Sequence, residues 1–294
     1  MDKEILRQRT RGIVVFAVTP FEEDDRVDEE GVKKNAEFLV QGGVPVAVFC
    51  GGVGELWHLS EEEHIQVVRA AAEQAAGRML IYAGVTGDAE ASAQRARLVE
   101  AAGADGVLLF PDPAAIPDVP SLLNYYTRVS EAVDIGLMPF RADASVDIDV
   151  LNRLADLPNV VALKEERENM EDFRQIVLEV GERLSIIGAG DPFAPCYFVL
   201  GGAGLAGGLA NFLPALYVEM WEAALAWDYR RVMEIHTSLQ PLAALRRRHG
   251  TSLLKAALEH MGLAGGPCRA GQRRVGEADR QQLEELLPAF AVPA

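Results

Sequence analysis

Asn159-Val160-Val161-Ala162-Leu163-Lys164-Glu165 reads as a short apolar strand that closes, without transition, on a lysine. A strand that is apolar at consecutive positions, not only at alternate ones, belongs in a sheet covered on both faces, as parallel sheets are. Of the chain's lysines, Lys3, Lys33, Lys34, Lys164 and Lys255, we read Lys164 as the one that follows such a run. Two readings apply to it. Its ammonium can sit in water at the strand end, paired with Glu165 or Glu166. Alternatively, desolvation lowers its pKa, and the neutral amine then attacks a carbonyl to form a Schiff base.

Working outward, similar strands alternate with helical patterns along most of the chain. Gly12 to Thr19, Val44 to Cys50, Met79 to Val85, Gly106 to Phe110, Ile135 to Met138, Asn159 to Lys164 and Leu184 to Gly188 read as strands. Gly204 to Leu209 falls where an eighth is due, although its glycines make it a poor strand by propensity. Between them, Asp28 to Gln41 carries Val32, Ala36, Leu39 and Val40 at helical spacing, and Ser60 with Glu61-Glu62-Glu63 opens a capped helix. Eight such units in roughly 210 residues predict an α/β fold, a (β/α)8 TIM barrel. The competing dinucleotide-binding sheet lacks its GxGxxG, and no GxxxxGK[ST] occurs. From Pro214 only helical patterns follow, so the expected division is a barrel over 1–213 and a C-terminal helical extension over 214–294. Alternation along strand six predicts Val160, Ala162 and Lys164 toward the barrel interior, with Val161 and Leu163 toward the helices.

Composition narrows the partners. The 294 residues carry a formal charge of −16, which argues against nucleic acid and anionic membrane surfaces. The three cysteines, Cys50, Cys196 and Cys268, have neither zinc spacing nor a disulfide framework, which fits a reducing cytoplasm. No apolar run reaches the length of a membrane span. His58 and His64 read as surface residues, Tyr125 and Tyr126 as core, and Cys50 as a small buried hydrophobe.

In a barrel the reactive groups gather at the C-terminal strand ends. There stand Lys164, the glycine-rich loop Gly51-Gly52-Val53-Gly54-Glu55, Arg141, and Gly190-Asp191. Together with Thr19-Pro20-Phe21, Gly103-Ala104-Asp105-Gly106 and the Gly266-Pro267-Cys268-Arg269 tail, these resemble the dihydrodipicolinate synthase / N-acetylneuraminate lyase family of class I, Schiff-base aldolases. The form of the strand-two loop, Phe193 to Tyr197 and Pro241 to Arg246 are most similar to its 5-dehydro-4-deoxyglucarate dehydratase branch.

The resemblance implies that Lys164 captures the keto group of a small 2-oxo acid. It also implies that backbone N–H groups of Gly52 and Val53 hold the substrate carboxylate. Arg141 is expected to supply positive charge for a second anionic group. No cofactor or metal is expected, and a homodimer or homotetramer is.

The departures are as specific. The tyrosine that relays protons in the family is replaced by Met138 or Pro139, depending on register. Val53 stands where a loop threonine is usual, and Glu165-Glu166-Arg167-Glu168 replaces a glycine-rich stretch. Two alternatives follow: a dehydratase with a relocated base, for which Tyr82, Glu165 and an ordered water are candidates, or a protein that keeps the fold and binds a keto acid or a protein partner without turnover.

Overall fold

A computed structural model describes residues 2–142, 146–269, 271 and 274–290. A short helix, α1 (Lys3–Arg9), precedes eight parallel strands: β1 (Gly12–Phe16), β2 (Val46–Phe49), β3 (Leu80–Gly87), β4 (Gly106–Pro111), β5 (Gly136–Arg141), β6 (Ala162–Glu165), β7 (Ser185–Ala189) and β8 (Gly204–Gly207). Each pairs with the next and β8 pairs with β1, closing the barrel. The helices α2 (Glu29–Gln41), α3 (Glu61–Ala75), α4 (Ala89–Ala101), α5 (Val119–Ser130), α6 (Ile148–Ala155), α7 (Met170–Val180) and α8 (Ala194–Val199) each follow a strand.

Local chemistry explains where most of these helices begin. Asp28, Ser60, Asp88, Asp118, Asp147 and Asn169 each accept a hydrogen bond from a backbone N–H of the first turn. Ser60 and Glu63 form a reciprocal capping box. The poor propensity of β8 has a packing cause, because a Cβ on Gly204 would land on the Gly12 carbonyl of β1. A larger residue there would push the closing strands apart.

The expected division at 213 falls inside the eighth unit. Helix α9 (Pro214–Leu225) lies over β1, with Trp221 beside Gly12 and Val218 near Gly43. It thereby completes the ring of helices. We place the extension after it, in α10 (Tyr229–His249), α11 (Thr251–His260) and α12 (Glu277–Leu286).

The simple alternation expected for strand six is broken. Leu137 pairs with Val160, yet Phe140 pairs with Lys164. Four steps on β6 therefore match three on β5, which is a β-bulge. Val160 follows Leu137 toward the helices. Val161 instead places its Cγ2 3.1 Å from where a Gly136 Cβ would be, beside Leu6 and the Tyr82 hydroxyl in the barrel's lower interior. Above the bulge, Ala162 pairs with Ser185 and Lys164 with Ile187, and the interior facing is regained. The extra residue sets which way the lysine points.

Candidate active site

Lys164 stands at the C-terminal end of β6, 7% exposed, at the floor of a cavity of about 1150 Å³. Its Nζ lies 4.4 Å from the centre of the Phe140 ring and 4.5 Å from that of Phe16. A Glu166 Oε2 accepts from it at 3.1 Å. Burial lowers the lysine pKa below its ordinary value, the Glu166 carboxylate partly opposes this, and the Arg246 guanidinium lowers it further. The Glu166 pairing of the first reading is present, but the ammonium does not sit in water, and desolvation is the larger effect.

Gly52 and Val53 line the same cavity as Lys164. Among the described residues their backbone N–H groups donate to no protein acceptor, so they remain available to an anion. The loop is held from two sides. Thr19 Oγ1 donates to the Gly54 carbonyl at 2.7 Å. Glu55, in the left-handed region at φ 59°, pairs with Lys255 Nζ at 2.7 Å and accepts from the Arg269 N–H at 2.7 Å. Lys255 also donates to the Pro267 carbonyl at 2.6 Å. This second buried lysine is 1% exposed on α11, where Leu253 and Leu254 precede it, and no strand end in the sequence had marked it. The C-terminal extension thus clamps the loop that faces Lys164.

Arg141 is not brought to the cavity. It pairs with Glu165 at 2.7 Å and Asp172 at 3.0 Å, and donates to the Val146 carbonyl at 2.5 Å, on the outward side of β5 and β6. Alternation dictates this: Phe140 and Lys164 face inward as a pair, so Arg141 and Glu165 face outward as the next pair. The guanidinium that does line the cavity is Arg246 from α10, which donates to Asp191 at 3.1 Å. Asp191 in turn accepts from the Tyr217 hydroxyl at 2.6 Å. A Cβ on Gly208 would land on the Arg246 guanidinium, so glycine is needed for the arginine to lie across β8. In sequence, Arg246 entered only as the end of the Pro241 to Arg246 stretch that carries the resemblance, and the packing of α10 over the barrel mouth brings it to the cavity.

The candidates for a relocated base separate clearly. The Tyr82 hydroxyl shares a hydrogen bond with Thr10 Oγ1 at 2.8 Å near α1, at the far end of the barrel, and burial raises its pKa. Glu165 is engaged by Arg141 and by the Arg167 N–H, outside the cavity lining, and burial raises its pKa despite that arginine. Met138 and Pro139 lie buried behind the lining, and Phe140 occupies the place beside the lysine. His64, expected at the surface, is 1% exposed on α3, 3.1 Å from Arg95, and burial pushes its pKa down to about 3. A helix-start position gave no hint that the ring is buried beside Arg95 of α4. Tyr125, Tyr126 and Cys50 are buried.

Beyond the lysine the wall is aromatic. Phe140 meets Phe110 edge-on at 5.1 Å, and Phe110 meets Trp57 at 5.7 Å. Asp112 and Asp118 lie at the rim. Among the described residues no cluster of His, Cys, Asp or Glu could hold a metal ion, and no helix is long and apolar enough to cross a membrane.

Comparison with known proteins supplies a context for this geometry. The model of the Dihydrodipicolinate synthetase family matches residues 9–290. A 4-hydroxy-tetrahydrodipicolinate synthase of Methanoculleus marisnigri is 33% identical, covering 94% of this chain and 98% of its own. A Bacillus licheniformis protein described as "Probable 5-dehydro-4-deoxyglucarate dehydratase" is 30% identical over 88% of this chain and 86% of its own. The crystal structure of dihydrodipicolinate synthase from Oceanobacillus iheyensis superposes with a TM-score of 0.90 at 27% identity, covering 98% of this chain and 99% of that one.

Proposed function

Because the chain belongs to the dihydrodipicolinate synthetase family, whose members are class I aldolase-type lyases, we propose that it forms a Schiff base between Lys164 and a small 2-oxo acid. The observation that carries this is the desolvated amine of Lys164 at the floor of a cavity whose other walls offer anion donors. The 2-oxo acid carboxylate is held by the N–H groups of Gly52 and Val53, whose charge-assisted bonds suit an acceptor anion. Arg246, and not Arg141, takes the role of the local cation in an acidic protein. The part of the substrate beyond C3 meets Phe110, Phe140 and Trp57, which favour carbon over further charge.

Trapping is the direct test. Protein incubated with pyruvate and borohydride gains the reduced adduct mass on Lys164, and Lys164→Ala gains none. A wild-type protein that stays unmodified across a panel of 2-oxo acids refutes the proposal and leaves a binding protein. A second reading, dehydration of 5-dehydro-4-deoxyglucarate, is favoured by the Bacillus relative and by the GGxGE form of the Gly51–Glu55 loop. Consumption of that sugar acid, without dihydrodipicolinate synthase turnover, selects it.

We also propose a homodimer or homotetramer. Leu178, Val199, Leu225 and Trp227 are each more than half exposed on the neighbouring helices α7 to α9 and the turn after them, an apolar flank suited to coverage. Sedimentation at micromolar concentration reads it, and a strict monomer refutes it.

A further inference from the structure

Imine chemistry on a lysine needs a proton moved at two points. Loss of water from the carbinolamine needs an acid at the C2 oxygen, and conversion of the imine to an enamine needs a base at C3. The residues at which the family resemblance looks for that relay, Met138 and Pro139, carry no exchangeable side-chain proton and lie behind the cavity lining. Tyr82 is at the wrong end of the barrel and Glu165 faces away from it. Asp118 caps α5 by accepting from the Ser121 N–H at 2.8 Å, and Asp112 accepts from the Ala114 N–H at 2.9 Å, both at the rim. Among the described residues, the carboxylate in contact with the amine is Glu166.

We propose that Glu166 is the acid/base of this site, standing in for the absent tyrosine; the proposal rests on the Schiff-base reading of Lys164. Glu166 follows the last residue of β6, and its own N–H donates to the Arg141 carbonyl at 3.1 Å, which fixes its backbone against β5. The Arg141–Glu165–Asp172 group behind it secures that strand end. Its side chain turns back over the cavity, with Oε2 3.1 Å from Nζ. The amine becomes bonded to C2, and C3 is one bond further. A carboxylate in hydrogen-bond contact with Nζ therefore stands within reach of both the C2 oxygen and the C3 hydrogens. The Glu166 side chain is 47% exposed, so it exchanges protons with solvent between steps, unlike the 9% exposed lysine beside it.

The Nζ lone pair adds to C2, the carbonyl pair moves to oxygen, and Glu166 passes the ammonium proton to that oxygen. A second proton, drawn from solvent through Glu166, lets the hydroxyl depart as water while the nitrogen pair closes the protonated imine. The Glu166 carboxylate then removes a C3 proton. The C–H pair becomes the C2–C3 double bond, and the imine pair returns to nitrogen. The enamine so formed is the carbon nucleophile of an aldol step, and its reprotonation at C3 runs the same transfer backward.

The rival role for Glu166 is ion pairing alone, and the two roles have opposite consequences. Glu166 holds the lysine proton more tightly, so its removal leaves the amine neutral at lower pH. If it only pairs, Glu166→Gln speeds imine formation at neutral pH and leaves C3 chemistry unchanged. The test follows pyruvate methyl protons by NMR in deuterium oxide, beside borohydride trapping on the same samples. The wild type is expected to trap pyruvate on Lys164 and to exchange the methyl protons.

Glu166→Gln should still trap at equilibrium, while exchange falls by about 10²–10⁴-fold, the usual contribution of a positioned acid/base. Glu166→Asp should recover part of the rate. Exchange by Glu166→Gln at the wild-type rate or faster overturns the proposal, and so does a wild type that traps without exchanging. Both outcomes leave the Schiff base standing. A wild type that does not trap removes the Schiff-base reading, and this proposal falls with it.

Discussion

Replacing Lys255 with methionine tests whether the C-terminal extension holds the loop facing Lys164. Methionine keeps the length and apolar stem of the side chain, so the change isolates the charge. In the folded protein the Lys255 and Glu55 side chains are 2% and 1% exposed and 2.7 Å apart. Lys255→Met leaves the Glu55 carboxylate buried with the Arg269 N–H still donating to its other oxygen. Breaking a buried pair from one side costs roughly 3–5 kcal/mol, because the remaining charge stays desolvated.

For a chain of this length each kcal/mol corresponds to about 2 °C, so Tm should fall by about 6–10 °C. Urea unfolding should show a lower midpoint with an unchanged slope. The double variant Lys255→Met with Glu55→Gln should recover part of the loss, since a neutral amide is cheaper to bury than a carboxylate that has lost its lysine. Glu55 is also held at φ 59°, a conformation costing on the order of 1–2 kcal/mol that its partners offset. Loosening it should blur the aim of the Gly52 and Val53 N–H groups and raise KM for the 2-oxo acid more than it lowers kcat. A Lys255→Met protein within about 0.5 kcal/mol of wild type would show that the clamp carries no energy, and the coupling to the loop would fall with it.

Two further outcomes concern titration. Burial lowers the Lys164 pKa, so between that lowered value and 10.5 the unfolded chain binds a proton that the folded chain refuses. Lys164→Met should therefore be more stable than wild type at neutral pH, with the gap closing as pH rises toward 10.5; equal stability at pH 7 would refute the desolvation argument. His64 is held neutral down to about 3, so stability should fall as pH drops below 6.5, by roughly 2 kcal/mol at about pH 5. His64→Gln should flatten that acid slope in urea titrations, and an unchanged slope would place the proton uptake elsewhere.

How much was legible in the sequence depended on the range of the physics involved. Strand and helix order, the Ser60 N-cap and the position of Lys164 at a strand end follow from local patterns, because periodicity and capping involve neighbours within a turn or two. The same logic failed at β6, where one extra residue between Val160 and Lys164 changes the facing of Val160 and Val161. A bulge is a property of pairing between two strands, and nothing in Val160-Val161-Ala162 announces it.

Arg141 and Arg246 show the same limit from the side of charge. Position along the strand suggested Arg141 for the cavity, yet the partners Glu165 and Asp172 hold it outside, and Arg246 arrives from a helix far along the chain. A lysine after an apolar run can be recognised as costly to desolvate from sequence alone. Which carboxylate it meets, which guanidinium shares its cavity and which distant lysine braces the loop opposite were decided only when β5, β6, α10 and α11 packed, since desolvation and ion pairing depend on separations in space that the chain does not encode locally.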